Sequence, residues 1–241
     1  MLPILYQSHD FVLYAYPFLM GIGWGLGLQL YFSLLAEKKF PQTSVLLIGL
    51  FLSSWVGAKL LFYLTVGDKF GTYIDHISFW TGGGFVFYGG LIGGLVYLLF
   101  FDFFIRRITL AEINAFVPSL ALGHGIGRIG CLLAGCCFGK ETSAWWGIHL
   151  HGVNRVPTQA MEALILVSIS YYFWKQRKNQ KEVLTLYMLI YGVSRIGIEV
   201  LRDDEIRGLW GFLTPSQWIS VFLIFLALTI RKFSNSQKFQ P

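Results

Sequence analysis

Seven apolar stretches set the limits on what this chain can fold into: Phe11–Ala36, Ser44–Val66, Phe85–Ile105, Ala111–Gly135, Thr158–Trp174, Val183–Leu201 and Thr214–Ile230. Each is long enough, or nearly so, to cross about 30 Å of hydrocarbon as a helix, the fifth being marginal. Charged residues make up 13% of the chain and hydrophobic residues 55%, with a mean hydropathy of +0.58. Soluble domains carry about 25% charged residues. The fold expected is therefore all-α: a polytopic integral membrane protein of about seven transmembrane helices. No linker, low-complexity run or internal repeat divides it, so residues 1–241 read as one domain.

The basic residues set the expected orientation. Eleven of them follow the odd-numbered runs: Lys38, Lys39, Arg106, Arg107, Lys175, Arg177, Lys178, Lys181, Arg231, Lys232 and Lys238. The opposite side carries five, Lys69, Lys140, Arg155, Arg202 and Arg207. Positive charge stays in the cytoplasm, which places the N-terminus outside and the C-terminus inside. The non-cytoplasmic loops, Gly67–Gly84, Cys136–Pro157 and Arg202–Leu213, are short and carry Trp80, Trp145, Trp146 and Trp210, as an interfacial belt does. The net charge of +6 lies at helix flanks rather than on one polar segment, so nucleic acid is not an expected partner. Met1–Asp10 lacks a basic segment and a small-residue cleavage site, so no removable signal peptide is expected.

Charge inside the runs is rare and therefore informative. Arg128 sits in the fourth run and Arg195 in the sixth, with Glu199 one helical turn beyond and Arg202 three further on. A charge at bilayer depth costs at least about 2.5–3.5 kcal/mol and normally faces a protein interior or a wet cavity. Arg195 and Glu199 can neutralise one another, as a pair that merely fixes helix packing also does. Glu199 does not neutralise Arg128 as well, so an anion site outweighs packing alone, with Arg202 facing the anion too. Pro157-Thr158-Gln159-Ala-Met-Glu162 opens the fifth run, with Thr158 placed to cap the helix and Glu162 about a turn inside. Tyr14 and Tyr16 fall early in the first run, and Tyr88 lies among the glycines opening the third. Each tyrosine taken alone reads as an ordinary hydrogen-bonding or interfacial residue.

Around Arg128 the sequence runs His124-Gly-Ile-Gly-Arg128-Ile-Gly-Cys131-Leu-Leu-Ala-Gly-Cys136-Cys137-Phe-Gly139 and holds all three cysteines of the chain. Its glycines leave room for another backbone or a ligand. An odd count of cysteines within seven positions is no disulfide framework, and H-x6-C-x4-C-C matches no usual zinc spacing. Packing is the leading reading of the three thiols, a redox role the next, and no metal is expected.

Five segments together resemble the prolipoprotein diacylglyceryl transferases of bacteria. Gly-His-Gly-Ile-Gly-Arg-Ile-Gly with Gly135 and Gly139 is similar to the family signature. Tyr14-Ala-Tyr16 resembles the first-helix tyrosine motif, and Phe87-Tyr88-Gly-Gly-Leu-Ile-Gly the third-helix His-Gly-Gly segment. Pro157-Thr-Gln-Ala-Met-Glu162 resembles Pro-Thr-Gln-Leu-Tyr-Glu, and Ser194-Arg-Ile-Gly-Ile-Glu-Val-Leu-Arg-Asp203 the late Arg-Phe-x-x-Glu-x-x-Arg block. The order is the family's own and covers most of the chain.

The resemblance implies a multi-pass enzyme of the bacterial cytoplasmic (inner) membrane. It would move the diacylglyceryl group of phosphatidylglycerol to the lipobox cysteine of a preprolipoprotein, releasing glycerol phosphate without metal or soluble cofactor. Arg128 and Arg195 match the essential arginines, Glu199 the paired glutamate, and Tyr14 the early tyrosine. Gly139 closes the signature, and Gln159, Glu162, His124, Cys131 and Arg202 fall near the expected headgroup site. Guanidinium forks suit phosphate oxygens, and the attacking thiol must approach its thiolate form. The chain also departs from the family. Tyr88 replaces the usual histidine, Cys131 and Ala134 replace asparagine, Cys136 replaces glutamate, and Asn114 stands where aspartate is common. The acceptor of the thiol proton is thus open, His124 being one substitute for the missing histidine. The departures keep two other readings in view: the same scaffold acting on another donor or acceptor, and a non-catalytic lipid-binding or thiol-redox membrane protein.

Overall fold

A computed structural model describes residues 2–8, 12–35, 40–66, 86–177, 182–203 and 211–237. Among these residues the elements in chain order are β1 (Ile4–Gln7), β2 (Val12–Tyr14), α1 (Ala15–Leu35), α2 (Thr43–Val66) and α3 (Phe87–Phe100). A π turn over Phe101–Ile105 extends α3 and precedes α4 (Leu110–Ala134), β3 (Ile148–Leu150), β4 (Val153–Arg155), α5 (Thr158–Lys175), α6 (Val183–Val200) and α7 (Pro215–Gln237). The seven apolar runs thus correspond to seven helices among the described residues. The expectation of an all-α chain needs one correction, because β1–β2 and β3–β4 are two short antiparallel hairpins.

Five helical stretches among the described residues are long and apolar enough to cross a membrane: Ala15–Leu35, Thr43–Leu64, Tyr88–Ile105, Leu110–Ala134 and Val183–Val200. Such a chain is a polytopic membrane protein. α5 and α7 are not in this set. Gln159, Glu162, Ser168 and Ser170 dilute the apolar content of α5, and α7 runs past Arg231 and Lys232. Parts of the orientation argument, including Lys38, Lys39, Lys69, Lys178, Lys181, Arg207 and Lys238, lie outside the described residues, as do the loop 67–84, Trp80 and Trp210.

The chain separates into two compact units. The first comprises residues 1–36 and 110–241. In it α1 lies along α4, α4 along α5 and α6, and α6 along α7. Val117, Ala121, Leu166, Ile169, Phe173 and Val183 form a buried cluster. Close approach of α1 to α4 explains part of the glycine-rich sequence. A Cβ on Gly23 would stand 2.8 Å from the Gly123 carbonyl oxygen, and one on Gly127 would stand 3.0 Å from Met20 Sδ. These glycines admit a neighbouring helix, so their presence around Arg128 is not by itself room for a ligand.

The second unit, residues 37–109, pairs α2 with α3. The Gly-Gly pairs after Tyr88 serve this contact: a Cβ on Gly57 would run into the Gly89 carbonyl oxygen, and one on Gly93 into that of Ser53. Tyr97 donates its hydroxyl hydrogen to the Val45 carbonyl at 2.7 Å. Lys59, a cation within α2, is fully buried here. Gly57→Ala is expected to destabilise the protein by about 1–3 kcal/mol through overpacking. Gly21 has nothing within 4 Å of its would-be Cβ, so Gly21→Ala should instead gain about 0.5–1 kcal/mol. Thermal unfolding in detergent would distinguish the two, and equal shifts would contradict the close approach.

Candidate functional site

Arg128, Glu162, Arg195 and Glu199 meet inside the first unit. Glu162 projects from the first turns of α5 and is almost fully buried, at 2% exposure. Its Oε1 lies 3.0 Å from Arg128 Nη2, supplied by α4, and accepts a hydrogen bond of 3.0 Å from the Tyr191 hydroxyl on α6. Its Oε2 lies 3.7 Å from Arg195 Nη1, also on α6. Three helices are therefore tied through one carboxylate. The sequence puts Glu162 about a turn inside its helix near the expected headgroup site, and the fold brings it to the centre of the cluster.

Arg195 turns its other nitrogen to Glu199, 2.7 Å away and one helical turn on, and to Ser216 Oγ at 3.2 Å. Thr214 donates to the second Glu199 oxygen at 2.9 Å. Glu199 and Arg195 thus form the pair expected from their spacing, braced from the start of α7. Glu199 does not neutralise Arg128, as its spacing implied; the carboxylate beside Arg128 is that of Glu162. Arg202, just past α6, is a further buried arginine. Arg128 Nε is buried and makes no hydrogen bond among the described residues. A guanidinium with one face on a carboxylate and a buried donor left over is suited to binding an oxyanion.

His124, one turn before Arg128 on α4, places Nε2 3.9 Å from Glu162 Oε1 and packs its ring edge-on against Tyr191 at 5.7 Å. Tyr187 stacks on the other ring at 5.7 Å. Tyr191, Thr214 and Ser216 were not among the residues singled out. Tyr191 had a usable signal, since it lies four residues before Arg195 and so shares its helix face.

The segment after α4 is held by α5. The Thr158 hydroxyl donates to the Cys137 carbonyl at 2.9 Å, and the Gln159 amide donates to the Cys136 carbonyl. Thr158 is therefore not the helix cap expected, since that position belongs to Pro157 and makes no side-chain cap. Cys131, Cys136 and Cys137 have no disulfide, and their sulfur atoms all lie within 4.8 Å of one another. Cys137 is pushed below the usual thiol range, first by its contacts with Cys131 and Cys136 and then by Arg202 and Arg128. Gly139 bridges the backbone of Arg202, and a Cβ there would stand 2.7 Å from the Leu201 carbonyl oxygen. Its lack of a side chain serves that bridge. Arg155 pairs with Asp203 and lies over the Phe138 ring at 4.5 Å, closing the same region.

One expected site residue stands apart from this cluster. Tyr14 ends β2 rather than opening α1 and is 52% exposed, while Tyr16 is the tyrosine that packs against Gly130 of α4. Tyr88 belongs to α3 of the second unit.

Comparisons with known proteins agree with the motifs. The family model for prolipoprotein diacylglyceryl transferase matches residues 3–231. The chain is 32% identical to phosphatidylglycerol–prolipoprotein diacylglyceryl transferase 2 of Clostridium perfringens, over 92% of this chain and 91% of that one. It is 31% identical to the phosphatidylglycerol–prolipoprotein diacylglyceryl transferase of Clostridium tetani, over 99% of this chain and 100% of that one. For the enzyme of that name from Leptospira interrogans the identity is 27%, over 77% and 69% of the two chains.

Proposed function

Because the chain belongs to the prolipoprotein diacylglyceryl transferase family, we propose that it transfers the diacylglyceryl group of phosphatidylglycerol to the lipobox cysteine of a preprolipoprotein. The observation that carries this reading to the site is the convergence of Arg128, Arg195 and Tyr191 on Glu162, with a buried donor of Arg128 unengaged among the described residues. The substrate thiolate attacks the glyceryl carbon that bears the phosphate. A carbon–sulfur bond forms, the carbon–oxygen bond to phosphate breaks, and glycerol phosphate leaves with the bonding electrons. Arg128 and Arg202 bind the phosphate oxygens as charge develops on them. Glu199, Ser216 and Thr214 fix Arg195, which in turn helps to hold Glu162. Glu162, Gln159 and Gly139 order the headgroup's surroundings, Cys131 borders them, and Tyr14 and Tyr88 are further catalytic residues. His124 takes the thiol proton in place of the histidine that Tyr88 replaces. The seven helices all span the bacterial cytoplasmic membrane with the N-terminus outside, and residues 1–241 act as one transferase.

Labelled phosphatidylglycerol and a lipobox peptide, mixed with the purified protein, test the assignment. Label should reach the peptide thiol, and folded protein that binds the lipid without transferring label would overturn it. His124→Gln should slow transfer near neutral pH. It should recover as pH rises towards the peptide thiol's own pKa of about 8.5, where no base is needed. An unchanged pH profile would remove His124 from that role.

A further inference from the structure

Cys136 and Cys137 lie on a braced turn just past α4, and Cys131 is buried in the last turns of that helix. α4 ends at Ala134, Gly135 takes φ 72°, and Cys137 takes φ 64°, a left-handed conformation that side chains rarely adopt. Such strain persists only where the surroundings impose it. Here Thr158 and Gln159 impose it, by holding the carbonyls of Cys137 and Cys136 from α5. His151 adds a contact of 2.9 Å from Nε2 to the Gly135 carbonyl. Cys136 Sγ reaches back to the Cys131 carbonyl at 3.7 Å. The result is three thiols converging within 4.8 Å, graded from buried Cys131 through half-buried Cys137 to exposed Cys136. Packing alone requires neither the convergence nor the strained Cys137 backbone.

We propose that Cys131, Cys136 and Cys137 form a three-thiolate site for a soft, thiophilic cation of the Zn(II) or Cu(I) class. Metal–sulfur bonds of about 2.3 Å place coordinating sulfurs about 3.8–4.0 Å apart, so side-chain rotation closes the remaining gap. Three soft donors without carboxylate or imidazole select thiophilic ions over magnesium or calcium. Each ligating thiol gives up its proton on binding, and the cation replaces it, with Arg202 and Arg128 offsetting the surplus negative charge. Exposed Cys136 provides the entry, and buried Cys131 supplies the ligand that water cannot easily displace.

Cadmium is the probe. The full chain is purified in detergent, reduced with a phosphine and titrated with Cd(II), following the ultraviolet sulfur-to-cadmium charge-transfer band. One Cd(II) per chain is expected, with all three thiols protected from alkylation as read by mass spectrometry. Cys136→Ser, the most exposed of the three positions, should weaken binding at least 10-fold without loss of fold, and Cys131→Ser and Cys137→Ser should do the same. Absence of the band from folded, reduced protein would overturn the site. So would unchanged affinity in Cys136→Ser, or formation of a disulfide among the three in the presence of saturating Cd(II).

Discussion

Arg128→Ala is expected to lower kcat/KM for diacylglyceryl transfer by about 10²–10³-fold, the loss typical when one pre-positioned donor to a developing anion is removed. Arg128 holds Glu162 at 3.0 Å through Nη2 and keeps Nε buried with no hydrogen bond among the described residues. A donor left in that condition is costly in the resting protein and is recovered when an oxyanion arrives, which is the differential binding that accelerates a reaction. Arg128→Lys restores the charge but not the planar fork, so it should regain less than a tenth of the lost activity. The assay is initial-rate transfer of labelled lipid to a lipobox peptide, with thermal unfolding measured alongside. Transfer at the wild-type rate by Arg128→Lys would mean that a point charge suffices and that no forked contact to phosphate is made. Arg195→Ala should also lose transfer, but with a larger loss of stability. Arg195 is engaged with Glu162, Glu199 and Ser216 at once.

Period and composition made the helices legible, because apolar runs bounded by polar residues have few alternatives in a chain with so little charge. Their internal chemistry was less so. Arg195 and Glu199 were readable as a pair, since a four-residue separation places side chains one above the other. The meeting of Arg128 with Glu162 joins residues thirty-four positions apart on different helices, and nothing local in the sequence encodes that contact. Thr158 looked like a cap because its own helix begins there, yet its hydroxyl turns to the Cys137 carbonyl from the preceding loop. Tyr14 was placed in a helix by hydropathy, whereas pairing of Ile4 with Tyr14 makes that residue the end of a strand. The glycines were correctly read as sites of close approach. Only the packed structure says what approaches: helix α1 at Gly123, the backbone of Leu201 at Gly139 and, in the other unit, α2 at Gly89. The thiols fall within seven positions in a spacing typical of no metal site, and the tight turn after α4 brings their sulfur atoms together.

Glu162→Gln should be the most destabilising single substitution in the cluster, at about 3–5 kcal/mol, because it leaves buried guanidinium groups without their counter-charge. Glutamine keeps the volume and one acceptor for the Tyr191 hydroxyl, so the loss isolates charge from packing. Glu199→Gln serves as the comparison. Glu199 pairs with Arg195 and accepts from Thr214, so its loss should cost less than that of a carboxylate shared by two arginines. A double-substitution cycle makes the point sharper. Arg128→Met removes one of the cations that Glu162 balances, so Arg128→Met with Glu162→Gln should be well short of additive, by at least about 1 kcal/mol. Denaturant or thermal unfolding of all four proteins in the same detergent provides the measurement. Additive effects would mean that Arg128 and Glu162 contribute independently and that the convergence on Glu162 is not what holds α4 to α5 and α6. Transfer activity should follow a different pattern. Restoring stability in the double variant does not restore the guanidinium, so the more stable protein should remain inactive, separating the residue that supports the site from the one that binds phosphate.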